Sequence, residues 1–466
     1  MNKKILSLAV VLLWGATMMY AQKAEVRTVS KYYRNALVNI MVYHPEDEFG
    51  YEIYEIFQNL PPQERYDNHD IGFRVFDNSK ITGVKGRKSE GLHRLKYGGK
   101  IHLSEDEKLA NAEAMHQLIE QSEMAKRIVA KWFNLTGDSL QNAHFGTELL
   151  EERSEYNASM LDVEKARYTV DGMEALKDVG EELISHSFII VSDMTYITAE
   201  NRADATKATF GVIGAVFDGL TGGNSGKRLA ENVGDISDKF TGFKVITKTY
   251  LYQLEWNDSI ANIFYTKYYT STPNPEKLRA FMEDRTTFRM KFLGEESAFT
   301  EKTKVADKYD RHDLLEMVTA RSIDMNIAKL QYKYEAFRVK VPIIRLEYDA
   351  KGKFLGYRIP IGLKENIKED SWFEVLSKKV NKEGKVETTH YSTLKPIKNH
   401  IWDNRFNAIM ENDHDENQYG TLFKKVPGEV GSDIQPGMVV RQVDDNLINN
   451  SIQRTKNKNA NKRNKK

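Results

Sequence analysis

Two extended stretches, separated by about 45 residues, constrain this chain more than anything else in it. The first, 187–197, opens with Phe188, Ile189, Ile190 and Val191, a continuous aromatic and β-branched run that suits a strand covered on both faces. Beyond it Asp193, Met194, Thr195, Tyr196 and Ile197 alternate, which predicts a strand leaving the core as it proceeds. In the second stretch, 243–256, Ile246, Tyr250, Tyr252, Leu254 and Trp256 share one parity, while Lys244, Lys248, Gln253 and Glu255 are scattered over both, the pattern of a long amphipathic strand. Its length of about 14 residues is well above the usual five or six. Turn residues Asn257, Asp258 and Ser259 follow, and 260–269 returns as an apolar, aromatic segment. That segment is a hairpin partner or a short helix, with the hairpin favoured.

Between the two strands, Phe210, Ile213, Val216 and Phe217 belong to an apolar run interrupted by glycine. Such a run is packed inside the protein or laid against a membrane surface or partner, since spanning a bilayer takes about 20 helical residues. After the glycines of 222–226, Leu229, Val233, Ile236 and Phe240 recur at helical spacing. The insert, 203–240, therefore reads as a helix pair, expected first as a hairpin covering the sheet and second as a membrane contact.

The N-terminus carries an address. Lys3 and Lys4 precede an apolar stretch, 5–14, and small residues lead to Ala21, the three parts of a secretory signal peptide. Cleavage after Ala21 and export to the periplasm or the outer membrane are the expectation. The chain has no cysteine, so neither a disulfide framework nor a lipid-modified cysteine is open to it, and its core alone must hold it together. At 466 residues the chain exceeds one core's usual size. The near-neutral total charge hides an uneven distribution: 454–466 carries seven basic residues and no acid, behind an acidic body. That tail, 451–466, reads as solvated and disordered, with anionic envelope polymers or envelope proteins as its candidate partners. Homo-oligomers are open to the chain, whereas specific nucleic-acid recognition is not expected.

Taken in order, 36–43 reads as a first strand stopped by Pro45, and 48–60 as a helix ended by Pro61 and Pro62. Residues 63–104 look irregular, and Ser104 to Glu107 resemble a capping box that opens a long helix to about Phe133. Helices are also expected at Leu149 and Leu150 and over 161–184. Pro273 and Pro275 mark the expected domain boundary. Beyond it, 288–305 reads as a hairpin across Gly294, and a helix capped by Asp310 runs to about Tyr334. From Phe337 the pattern is strand-like, with turns at 349–352 and 381–384 and further strands at 396–402, 422–426 and 438–443, which suggests a small barrel or sandwich. The fold class is thus an α/β domain, α+β being the alternative, over 22–272 with a helical insert. A connecting hairpin and helix, 273–337, and a small mostly-β domain, 338–450, complete the chain.

Motifs that carry chemistry fail on inspection. Gly222, Gly223, Asn224, Ser225, Gly226, Lys227 and Arg228 invite a phosphate-loop reading. Thr221 stands where the first glycine belongs, however, and Arg228 where the magnesium-binding hydroxyl belongs. Asp413, His414, Asp415 and Glu416 gather oxygen ligands, but Gly420 and Lys424 do not match the calcium-loop spacing. The histidines, including His69 beside Asp70 and His312 beside Asp313, form no zinc pair, and no nucleophile elbow occurs. Glu151 and Glu152 point apart on a helix. No catalytic residue, cofactor site or metal site is assigned from sequence, and a hydrolase assembled from distant residues is the enzymatic alternative. One feature suggests a binding surface, the aromatic density of Tyr250, Tyr252, Trp256, Phe264, Tyr265, Tyr268 and Tyr269. Its alternatives are cross-strand packing and a sugar-stacking or membrane-interface platform.

Two resemblances bear on function. The segments Lys131-Trp132-Phe133, Leu149-Leu150-Glu151-Glu152-Arg153, 183–191 and 250–256, with an insert between the last two, resemble the element order of the curli-secretion channel family over 131–269. That likeness implies a periplasmic α/β domain and an oligomeric outer-membrane pore. The helical insert and the missing lipidation cysteine depart from it. The whole chain also resembles a family of exported proteins of unknown function common in Bacteroidota, which implies export and no particular activity. The combined expectation is an exported envelope protein that works in binding or assembly, the alternative being a secretion-channel-like oligomer.

Overall fold

The computed structural model of the chain describes residues 34–77 (apart from 46 and 48), 105–157, 182–198, 242–303, 310–380, 386–408, 419–427 and 433–443. The expected signal sequence, the insert 203–240 with Phe210, Ile213, Val216 and Phe217, the phosphate-loop-like segment, the acidic cluster 413–416 and the basic tail lie outside these residues. The chain divides into two compact units, Asn35–Phe337 and the part beyond Arg338.

The first unit is an α/β sheet with a mixed pattern of strands, in the order β2-β1-β4-β5-β6. Strand β1 (Ala36–Tyr43) runs parallel to β4 (Ser187–Thr198), pairing Val38 with Ile189 and Ile40 with Val191. On its other edge it takes two short parallel partners, β2 (Asp67–Asn68) and β3 (Val75–Asp77). Strands β5 (Gly242–Leu254) and β6 (Met290–Thr303) add antiparallel to β4. Both stretches that dominate the sequence are therefore central strands. Central position explains two departures from expectation. Asp193, Met194 and Tyr196 are buried, so β4 does not leave the core there, and Thr247, Lys248 and Thr249 are buried too, so β5 has no solvent face there.

Helices cover both faces. On one lie α2 (Glu105–Gln121) and α3 (Met124–Trp132), with the Tyr252 hydroxyl donating to the Ala112 carbonyl at 3.4 Å. The single long helix expected over 104–133 is broken at Glu123, whose backbone is left-handed at φ 54°. Its carboxylate binds Lys126 at 2.9 Å and also pairs with Arg285, which ties the break to a distant part of the chain. On the other face lies the 23-residue helix α7 (Arg311–Lys333), with a capping box between Asp310 and Asp313, and it also meets α1 (Gly50–Asn59). Helix α4 (Glu148–Asn157) follows α3 in the chain.

The segment after β5 is not a hairpin partner. Residues 258–268 form α5 (Asp258–Ile263), capped by the Asn257 side chain, and a turn of π-helix (Phe264–Tyr268). Every third or fourth residue there is apolar, so the segment serves helix and strand patterns alike, and packing against Phe133 and Phe145 selects the helix. Pro275 starts α6 (Pro275–Glu283) inside this unit, with Asn274 as its cap, and no boundary falls at the prolines. Nor is 288–305 a hairpin. It is the one strand β6, and Gly294 lies beside a register irregularity within it.

The second unit is mostly β, as expected, and consists of one curled antiparallel sheet in the order β7-β13-β10-β11-β12-β9-β8. Its strands are β7 (Lys340–Pro342), β8 (Arg345–Tyr348), β9 (Phe354–Ile359), β10 (Trp372–Val380), β11 (Val386–Pro396), β12 (Thr421–Lys425) and β13 (Val439–Val443). The two end strands are consecutive in the chain, separated by Ile343 and Ile344 alone. Ile343 bonds back to Met438 beside β13, and Ile344 donates to Arg358 in β9. One bent strand thus joins both edges and closes the sheet as a small barrel, which removes open edges. Ile343, Ile359, Val375, Leu394, Phe423 and Val440 fill its inside. The strand expected at 396–402 is reduced to a bridge between Trp402 and Gly362.

Candidate functional site

The seven aromatics singled out from sequence are core, not surface. Tyr250, Tyr252, Trp256, Phe264 and Tyr268 are buried, and Tyr265 and Tyr269 are half-buried against the same cluster. Phe264 lies 4.3 Å from the Phe133 ring and 5.3 Å from that of Phe145. A stacking platform must offer ring faces to solvent, and these rings offer them to one another. His312 and Asp313 sit in the first turn of α7, where Asp313 belongs to the capping box. Among the described residues no group of three or more His, Asp or Glu is placed to hold a metal.

A different site arises at the open edge of β1. Pro61 and Pro62 force the chain out of α1, since the residue before a proline is driven from helical geometry, and Leu60 accordingly has ψ 136°. The chain then returns to β1 twice. At β2 the amides of Asp67 and His69 donate to the carbonyls of Asn35 and Leu37 at 2.9 and 3.0 Å. At β3 the Met41 amide donates to the Arg74 carbonyl at 3.0 Å. Between these contacts the segment lifts away through a tight turn, in which Asp70 accepts from the Gly72 amide at 2.8 Å and Gly72 has φ +68°.

The lift leaves a cleft of about 80 Å³, lined among others by Asn39, Leu60, Pro61, Gln63, Asp70 and Arg74. Asn39, in the middle of β1, is one of the residues that line it. Its side-chain oxygen is buried and has no hydrogen-bond partner. Such an atom costs about 1–3 kcal/mol unless something donates to it. The walls are fixed. The Gln63 amide donates to Asp324 at 3.1 Å, and the Tyr66 hydroxyl accepts from Gln331 at 2.9 Å and donates to the Phe337 carbonyl at 3.2 Å. Arg74 donates to the Gln58 and Phe57 carbonyls at 2.9 and 3.3 Å, closing the C-terminal end of α1. Burial lowers its proton affinity, and Asp70 opposes that.

His69, which also lines the cleft, is held neutral. Burial, reinforced by the charge of Arg153, pulls its pKa down to about 3. One ring nitrogen accepts from Arg153 at 3.1 Å and the other donates to the Ile128 carbonyl at 3.1 Å. Arg153 in turn lies 4.6 Å over the Trp132 ring. This histidine is a cross-brace in place of an acid or base. Sequence reading passed over Asn39, and the signal it carried was a lone carboxamide in the otherwise apolar run 36–43.

Comparison with known proteins finds no matching family model and no matching curated protein. No helix among the described residues is long and apolar enough to cross a membrane.

Proposed function

We propose that the protein is an exported cell-envelope protein that works by binding, and that the cleft over Asn39 receives one group of its ligand. The observations behind this are a walled cleft lined in part by Asn39 and, on that residue, a buried side-chain oxygen that has no hydrogen-bond partner and that a small adjustment of the side chain would present to a ligand. An acceptor in that position calls for an N–H or O–H donor. Asp70 at the same cleft disfavours an anion, and Arg74 is committed to the α1 carbonyls. Leu60, Pro61, Ile71 and Phe73 supply apolar wall for the carbon attached to the donor. A cleft of about 80 Å³ is far smaller than the 300–1,000 Å³ of a drug-sized site, so it takes a pendant group and not a whole molecule. Neutral saccharides and amide-bearing peptides share this chemistry.

Calorimetric titration with neutral oligosaccharides and with capped peptides, repeated on Asn39→Leu, tests the proposal. Binding by one class, weakened about tenfold or more in the variant, is expected. Undiminished binding in the variant, or none with either class, overturns it. Export is tested separately, by finding Gln22 as the first residue of the envelope-fraction protein.

A further inference from the structure

Seven large apolar side chains are exposed among the described residues, and most are single: Tyr51, Met282, Met325 and Leu363. The other three, Tyr348, Phe354 and Leu355, lie together on the hairpin of β8 and β9, at 54, 41 and 45% exposure. Scattered exposed apolar residues need no explanation, but a cluster does. The cluster continues the inside of the barrel outward. Leu346 and Tyr357 pack in the core, Phe354 stands edge-on to Tyr357 at 5.0 Å, and Tyr348 stands edge-on to Phe354 at 5.7 Å. The apolar face thus runs past the end of the sheet and into solvent. Residues 350–355 are all exposed, which makes this a convex tip.

Two features say what a tip of this kind meets. Four amides of the turn are satisfied from within: the Asp349 carboxylate accepts from the amides of Lys351 and Lys353, each at 2.9 Å, the Asp349 carbonyl accepts from the Gly352 amide, and the Asp349 amide donates to the Lys353 carbonyl. Unpaired amides are what make loops costly in a lipid interface, and these are paired. Its charge is also sorted. The one acid of the turn is directed at those amides, whereas Lys351 and Lys353 are exposed and have no ion-pair partner among the described residues. Aromatic and aliphatic side chains flanked by lysines match the boundary between headgroups and acyl chains of an anionic bilayer.

We infer that the 348–355 hairpin tip is a membrane-docking element, inserting Tyr348, Phe354 and Leu355 into an anionic lipid surface. The inference uses nothing of the Asn39 cleft. Because the chain has no cysteine, Ala350→Cys in the full chain takes an environment-sensitive fluorophore at the tip alone. With phosphatidylglycerol-containing vesicles the label is expected to shift to the blue and to be quenched by lipids spin-labelled near the headgroup. Phosphatidylcholine vesicles should give a smaller response. Tyr348→Ser, Phe354→Ser and Leu355→Ser together should lower vesicle partitioning about tenfold or more without changing the thermal melt. Lys351→Glu with Lys353→Glu should remove the preference for anionic lipid. A label that stays unshifted, whether or not the chain sediments with vesicles, overturns the inference, since sedimentation alone then reports contact elsewhere, such as the basic tail. Unchanged partitioning of the triple variant overturns it as well.

Discussion

Lys248 carries an ammonium group into the middle of the first sheet, where it is 4% exposed. It pairs with Glu295 on β6 at 2.8 Å, faces Asp193 across β4, and Asp193 in turn bonds His44 at 2.7 Å. Charges alternate across three strands, and removing the ammonium leaves the half-buried Glu295 without this partner and the buried Asp193 with His44 alone. Lys248→Met is therefore expected to cost roughly 3–5 kcal/mol, while Lys248→Met with Glu295→Leu recovers most of it. Urea midpoints of the two variants check this, and equal losses would sink the idea. Asn39→Leu goes the other way. It removes a partnerless buried oxygen and is expected to leave stability unchanged or raise it by about 1 kcal/mol in the absence of ligand. His69 supplies the acid limb. Its folded pKa, about 3, lies below the unfolded value near 6.5, so the unfolded chain binds the extra proton between them. The contribution of this residue to stability is complete above the unfolded pKa and falls by about 1.4 kcal/mol per pH unit below it, down to the folded pKa. Denaturant titrations from neutral to acid should show a shallower slope for His69→Gln than for the parent.

Among the elements, α7 shows how far a pattern can be read. Its start at Asp310, its length and its apolar stripe through Leu314, Val318, Ile327 and Leu330 follow from capping chemistry and helical spacing. Its other buried residues do not. Thr319, Ser322 and Asn326 read as the wet side of an amphipathic helix, yet all three are fully buried. They meet a matching polar row on β4 and β5: Thr319 bonds the Tyr196 hydroxyl at 2.9 Å, Ser322 accepts from Thr247 at 2.7 Å, and Asn326 donates to the Thr247 carbonyl and the Thr249 hydroxyl at 2.8 and 2.9 Å. Periodicity records polarity and says nothing of who satisfies it. Asn326→Ala strands two acceptors and is expected to destabilise by roughly 2–3 kcal/mol, and Ser322→Ala by less. The Thr247→Val and Asn326→Leu pair, which replaces both sides, should lose less than the sum of its singles, as a double-mutant cycle would measure. Segment 258–268 carries the same lesson in reverse, because its apolar spacing fits two structures and a neighbouring aromatic cluster decides between them.

At the scale of whole units, the Asn35–Phe337 part depends on a late element to cover early strands. Helix α7 closes the face of β4 and β5 that holds Ile190, Ser192 and Leu251, so a chain ended at residue 304 should bind a hydrophobic dye and unfold without a cooperative transition. Retention of a sharp melt would contradict that dependence. The barrel unit works differently, through a strand bent at Ile343 and Ile344 that serves both ends of one sheet.

The residues alone determined the mixed α/β character of the first unit, the β-rich second unit, the central role of the two long strands and the helix capped by Asp310. Each of these rests on local propensity and on periods of two or 3.6, which act within about a dozen residues. Only the tertiary structure decided that Lys248 and Asp193 are buried, that the aromatics of 250–269 face inward, that Asn39 lines a cleft and that Tyr348, Phe354 and Leu355 look out. Burial is set by what arrives from far along the chain to cover a face, and a helix whose Thr319 meets Tyr196 from 123 residues downstream leaves no trace in the spacing of the strand it covers.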